Sequence, residues 1–95
     1  MPIVTKPWDA AEHLNTPEDV AAYLEAVLED GDPRVIASAL GDIARARGMS
    51  EVSRNSGVSR AALYRALSED GDPRLSTLLG VAKALGLALT VKSAA

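Results

Sequence analysis

Apolar positions recur with helical spacing in successive stretches of the chain and alternate in one. Val20, Leu24, Val27 and Leu28 fall at i, i+4, i+7 and i+8, which places one apolar stripe on a helix. Thr16 stands before it as an N-cap, Pro17 fits the first helical position, and Glu18 and Asp19 favour the positive helix end. Ile36, Leu40 and Ile43, flanked by Val35, Ala39 and Ala44, predict a second helix from 33 to about 47, ended by Gly48. Residues 50–56 predict a short third helix with Val52 inward. Gly57 interrupts the pattern, Val58 plugs the turn, and Ser59 caps a fourth helix through about Leu67, held to the core by Leu63, Ala66 and Leu67. Leu75, Leu78, Leu79, Ala82 and Leu85 define a fifth helix that closes at Gly86. From Leu87 to Lys92 the side chains alternate apolar and polar, the pattern of a short strand. An isolated strand is unstable in water. Its partner would be the "PIVT" near the N-terminus, the same strand of a second copy, or another protein.

The expected architecture is therefore all-α, with five helices and a short C-terminal β-strand. An arm at 1–15 precedes a helical domain at 16–86, and a tail occupies 87–95. The helices are joined twice by the same hexapeptide, "EDGDPR", at 29–34 and 69–74. A calcium loop needs oxygen ligands at alternating positions, a central glycine and a glutamate at position twelve. "DGDPRVIASALG" places Pro and Arg early and Gly last, so the spacing fails. Helix chemistry accounts for the string. Gly31 and Gly71 can take positive φ past a helix end, Asp32 and Asp72 can cap the next helix, and Pro33 and Pro73 fit its first position. Each copy is expected to stop one helix and start another. "SALGDIARARG" and "STLLGVAKALG" follow the two copies, through either old duplication or convergence of similarly capped helices.

Composition narrows the core. Apolar residues make up 47% and aromatics only 3%, without any Phe. The core must be built from Ala, Leu, Val and Ile, which suits closely approaching helices. Ninety-five residues allow one domain with a modest core. No cysteine is present, so disulfides and thiolate metal sites are excluded. No stretch has the length of a signal peptide's apolar run or of a membrane span, and a soluble cytoplasmic protein is expected.

The net charge of −3 hides an asymmetry. Residues 1–43 carry nine acids against Lys6 and Arg34, a net of −7, and residues 44–67 carry Arg45, Arg47, Arg54, Arg60 and Arg65 against Glu51, a net of +4. A basic block inside an acidic chain points to two different partners. The basic block coincides with the two short helices around Gly57, the arrangement of a helix-turn-helix. In that motif the first helix packs across the second and leaves the second's outer face free to enter a major groove. Ser59, Arg60, Ala61, Tyr64 and Arg65 fall on that outer face. Arg60 could present its planar fork to guanine N7 and O6, and Ala61 could meet a thymine methyl. Tyr64 and Arg65, one turn on, suit phosphate or sugar as well as bases, and Tyr64 could instead pack on the core. Arg45, Arg47, Ser50 and Arg54 are candidates for phosphate contacts that set affinity and its salt dependence.

"DAAEHL", "AAYLEAVLEDGDP", "ALGDIARARGMSEVSRNSGVSRAALYRAL" and "LGVAKALGL" together resemble the addiction-module antidote family, antitoxins with a helix-turn-helix of the Cro and lambda-repressor type. The resemblance covers most of residues 9–87. It implies a lambda-repressor-like fold, with 50–56 as supporting helix and 59–67 as recognition helix. It also implies a homodimer on a palindromic double-stranded operator that represses its own operon. The implied partner is a small basic toxin, often of ribonuclease type, neutralised by direct binding. Two positions depart from the family pattern: Glu51 stands where a polar amide such as Gln is common, and Ser53 where Ala is favoured. A glutamate at 51 is repelled by DNA unless Arg54, three residues on, neutralises it.

The resemblance gives the acidic first half a purpose, since a basic toxin could dock on residues 9–30. Glu18, Asp19, Glu25 and Glu29 are the docking candidates, the alternative being a solvated face. No catalytic, cofactor or metal site is expected. His13 is the only histidine, no phosphate-cradling glycine motif occurs, and Glu29 and Asp30 pair at a helix end. Trp8 is expected to anchor the N-terminal arm. A protein-interaction module of the same fold, sequestering a partner without binding DNA, is the other reading.

Overall fold

The computed structural model describes residues 14–94 of the chain. Trp8, His13, the "PIVT" stretch and most of the expected arm at 1–15 lie outside the described residues. Among the described residues there are five helices: α1 (Pro17–Asp30), α2 (Pro33–Arg47), α3 (Met49–Ser56), α4 (Arg60–Ala66) and α5 (Leu75–Ala84). None is long and apolar enough to cross a membrane.

Capping chemistry explains most of the boundaries. Thr16 Oγ1 accepts the Asp19 backbone N–H at 3.1 Å, which satisfies one orphan donor of α1. At the first joint Gly31 is left-handed (φ 76°, ψ 11°), Asp32 Oδ1 accepts the Arg34 N–H at 3.0 Å, and Pro33 opens α2. Gly48 serves two helices at once. Its N–H closes α2 on the Ala44 carbonyl, and its own carbonyl accepts the first bond of α3 from Val52.

The second joint folds differently. Gly71 does not take positive φ, Asp72 caps nothing, and Pro73 precedes the helix instead of opening it. α4 has already ended at Ala66, so Glu69 and Asp70 fall in a turn closed by the Gly71 N–H on the Ser68 carbonyl at 2.8 Å. Gly71 is pressed against the end of α4. A Cβ there would lie 2.5 Å from the Ala66 carbonyl carbon and 2.8 Å from the Arg65 oxygen. The backbone must clear that helix end before turning again, so Arg74 becomes the N-cap of α5, without a side-chain cap bond.

Val20 of α1, Leu40, Ile43 and Ala44 of α2, Met49 and Val52 of α3, Leu63 of α4, Leu67 just after it, and Val81 and Leu85 at α5 form one buried cluster. Each fully buried Leu, Ile or Val in it is worth ~1.5–3 kcal/mol over exposure. α3 packs most extensively on α5, and α1 packs on α2. Glycines make these approaches possible. Gly80 of α5 faces the Ser56 carbonyl oxygen, 2.7 Å from where a Cβ would stand, and Gly41 of α2 lies against the backbone carbonyl of Leu67.

Some expected core stripes stop short. Leu28 of α1 and Leu75 and Leu79 of α5 are exposed, while Val81, outside the expected stripe, is fully buried. The C-terminal strand is absent: residues 87–94 hold no strand. Leu87 stays on the core, its N–H bonded to the Ala82 carbonyl at 2.8 Å, but Leu89 is exposed and Val91 is 98% exposed. With no ladder to join among the described residues, alternation alone does not make a strand.

Candidate nucleic-acid interface

The turn between α3 and α4 starts from Gly57. Its left-handed backbone (φ 77°, ψ 13°) is strained for any residue bearing a Cβ, and its N–H closes α3 on the Ser53 carbonyl at 3.0 Å. Val58 follows, half-buried against the core. Ser59 then caps α4, its Oγ accepting the Ala62 N–H at 3.1 Å.

α4 is two-faced. Leu63 and, just past its end, Leu67 are wholly buried, while Ser59, Arg60, Ala61, Tyr64 and Arg65 are exposed. All five candidate base-reading positions are therefore accessible together along one short helix. Tyr64 is 44% exposed and does not belong to the buried core.

The candidate phosphate contacts divide. Ser50 and Arg54 are exposed on α3 beside this surface in sequence. Arg45 is already engaged, its Nη2 paired with Asp42 Oδ1 one turn back on α2. Arg47 is half-buried and lines a small groove with Leu14, Asn15, Ile43 and Ala46. Among the described residues the ion pairs are Arg45–Asp42 and the long, exposed Arg34–Asp32 contact at 3.9 Å. Arg54, Arg60 and Arg65 thus keep their guanidinium groups available. Glu51 is exposed and forms no ion pair with Arg54, so contact neutralisation of that carboxylate does not occur.

Two features escaped the sequence reading. Arg74, at the start of α5, shares a groove with Arg65, Ser76 and Thr77, although Asp70 and Asp72 line it too. The hydroxyls of Ser53 and Ser56 bond the turn itself, Ser53 Oγ donating to the Val58 carbonyl at 2.6 Å and Ser56 Oγ accepting the Val58 N–H at 3.2 Å. The signal for the first is its place just before a helix. For the second it is serine late in a short helix, where hydroxyls bond nearby backbone.

The acidic candidates Glu18, Asp19, Glu25 and Glu29 are all exposed on α1. Asp19 also has a local structural role, its Oδ2 accepting the Asn15 N–H at 3.4 Å. A separate groove of about 360 Å³ runs between α1, α2 and the second joint, lined by Tyr23, Asp32, Arg34, Asp42, Glu69 and Asp70 among others. The two copies of the hexapeptide meet there. Burial first, and the nearby Asp42 carboxylate second, push the Tyr23 hydroxyl above its ordinary pKa.

The profile of a family described as "Probable addiction module antidote protein" matches residues 4–93 of the chain. A curated relative from Haemophilus influenzae, described as an uncharacterized protein, is 47% identical over 87 residues, which are 92% of this chain and 90% of the relative. No solved structure matches the chain.

Proposed function

The chain belongs to the family of probable addiction module antidote proteins, and from that premise we propose that it is the antitoxin of a toxin–antitoxin pair that also represses its own operon. In this reading a small basic toxin, of the ribonuclease type implied by the family resemblance, docks on the acidic face of α1. A homodimer sets one α4 into each half of a palindromic operator. The observation that carries DNA binding is the division of α4: Leu63 and Leu67 are wholly buried, and Ser59, Arg60, Ala61, Tyr64 and Arg65 are open, with unpaired arginines. Helices of a helix-turn-helix read base edges from their N-terminal turn, where Ser59, Arg60 and Ala61 stand. Ser50 and Arg54, with Arg45 once Asp42 releases it and Arg47, are assigned to phosphate. Contacts of this kind make affinity fall steeply with salt.

One observation favours a second reading, a module that sequesters a partner without holding DNA. Glu51 presents an uncompensated carboxylate on α3. The separating experiment is co-purification with the product of the neighbouring gene, followed by mobility shift of the upstream DNA by wild type and Glu51→Gln. Operator binding by wild type, tightened by the substitution, supports the repressor. Toxin capture with no shift by either protein supports the sequestering module.

A further inference from the structure

Resting on the homodimeric repressor proposed above, we infer that the second copy docks on the outer strip of α5. Leu79 then lies at the two-fold axis, and Lys83 of each copy is set against Asp72 of the other. The strip is continuous: Leu75, Leu79 and Lys83 stand at i, i+4 and i+8, all exposed, with Ser76 beside them. The other sides of the helix are occupied. Leu78, Val81 and Leu85 pack into the core, and Gly80 lies against the Ser56 carbonyl of α3. Leu75 is 68% exposed and Leu79 48%. A single exposed leucine is ordinary, but two in line on a strip the core does not use make half of a seam.

A second copy fits this strip on charge and on distance. Turned antiparallel about Leu79, the strip meets itself: Leu79 faces Leu79, and each Leu75 lies under the apolar stem of the opposite Lys83. The Lys83 ammonium then extends past Leu75 toward Asp72, which is exposed and caps no helix. Among the described residues neither Lys83 nor Asp72 belongs to an ion pair, so the two-fold matches each unpaired charge with its opposite, twice. Lys83 is the only charge on the strip itself, which disfavours a basic toxin there. Facing through α1 instead would bring Glu18, Asp19, Glu25 and Glu29 of both copies together. Distance agrees. Palindromic half-sites lie about 34–36 Å apart, so each α4 must sit about 17 Å from the axis. The strip begins one residue after Arg74, which shares a groove with Ala62 and Arg65 of α4. A seam on a remote face of a domain measuring 43 × 38 × 26 Å would part the two α4 helices by more than one turn of DNA.

The test is sedimentation equilibrium without DNA or toxin, on wild type, Leu79→Asp and Leu28→Asp, a control of similar exposure (54%) on α1. Leu79→Asp should raise the dimer dissociation constant about a hundredfold, since two leucine contacts are lost and two like charges meet. Leu28→Asp should leave it unchanged. A charge exchange supplies a reading that does not depend on how well α5 tolerates Asp at 79. Lys83→Asp or Asp72→Lys alone should weaken the dimer about tenfold, and the two together should restore it. A monomeric wild type, a Leu79→Asp protein as dimeric as wild type, or charge changes that do not rescue each other overturn the proposal. If Leu79→Asp stays dimeric but no longer captures the neighbouring gene's product, the strip belongs to the toxin instead. Mobility shift is scored separately. A wild type that dimerises through this strip yet never shifts operator keeps the seam and sinks the DNA-binding reading.

Discussion

Gly41→Ala separates two ways of thinking about this chain. Gly41 lies inside α2, and alanine is the better helix former by ~1 kcal/mol. Local propensity thus predicts a more stable protein. The tertiary structure predicts the reverse. A Cβ at 41 would stand 3.2 Å from the Leu67 carbonyl carbon and closer still to its oxygen, with Arg45 Nη1 at 3.3 Å. Arg45 can swing away, but the Leu67 backbone cannot. Its side chain is wholly buried, and its N–H closes α4 on the Leu63 carbonyl at 2.9 Å. Relief requires α2 and the end of α4 to part by about 1 Å, beyond what side-chain adjustment supplies. Overpacking of this sort costs ~1–3 kcal/mol, at the upper end or above when backbone must move. Against the propensity gain, a net loss of about 2 kcal/mol follows, or roughly 8–15 °C in Tm for a domain this size. Urea unfolding followed by circular dichroism measures it, with Gly31→Ala as control. That site is spatially open but left-handed, and should lose ~1 kcal/mol through backbone strain alone. A Gly41→Ala protein as stable as wild type would refute the close approach of α2 to Leu67.

Other outcomes test the functional assignments. Arg60→Ala should weaken operator binding by ~1–3 kcal/mol and relax preference at one base position, as read by competition between operators carrying single changes. Reversing charge at Glu18, Glu25 and Glu29 together should weaken capture of the basic toxin in calorimetry while leaving the mobility shift of operator intact. Unchanged toxin affinity would remove α1 as the docking face. The raised Tyr23 pKa carries its own pH dependence. The folded state holds the phenolic proton more tightly than the unfolded chain, so that contribution is complete below about pH 10 and is lost as pH climbs through the folded value. Tyr23→Phe should flatten the alkaline fall in stability, and Asp42→Asn should lower the tyrosinate midpoint.

What the sequence determined by itself is what short-range chemistry can determine. Thr16, Asp32 and Ser59 cap where their side chains reach backbone N–H groups two or three residues away. Gly57 turns because left-handed backbone favours a residue without a Cβ. Helical spacing sets Ala61 and Arg65 away from the buried Leu63 and Leu67, but Arg60 falls three and seven residues before them on the same stripe, so its exposure was decided by how α4 packs. The tertiary structure decided what depends on residues far apart in the chain. "EDGDPR" makes two different connections because its second copy is pressed against the end of α4, and that contact is not written in the six letters. The tail alternates like a strand yet forms none, since a strand is a property of a pair. The glycines at 41 and 80 interrupt helical patterns, but only packing reveals that each admits a neighbouring backbone carbonyl. The same holds for Arg45, drawn to Asp42, and for Ser53, whose hydroxyl finds a carbonyl that exists in that place only after the chain has turned.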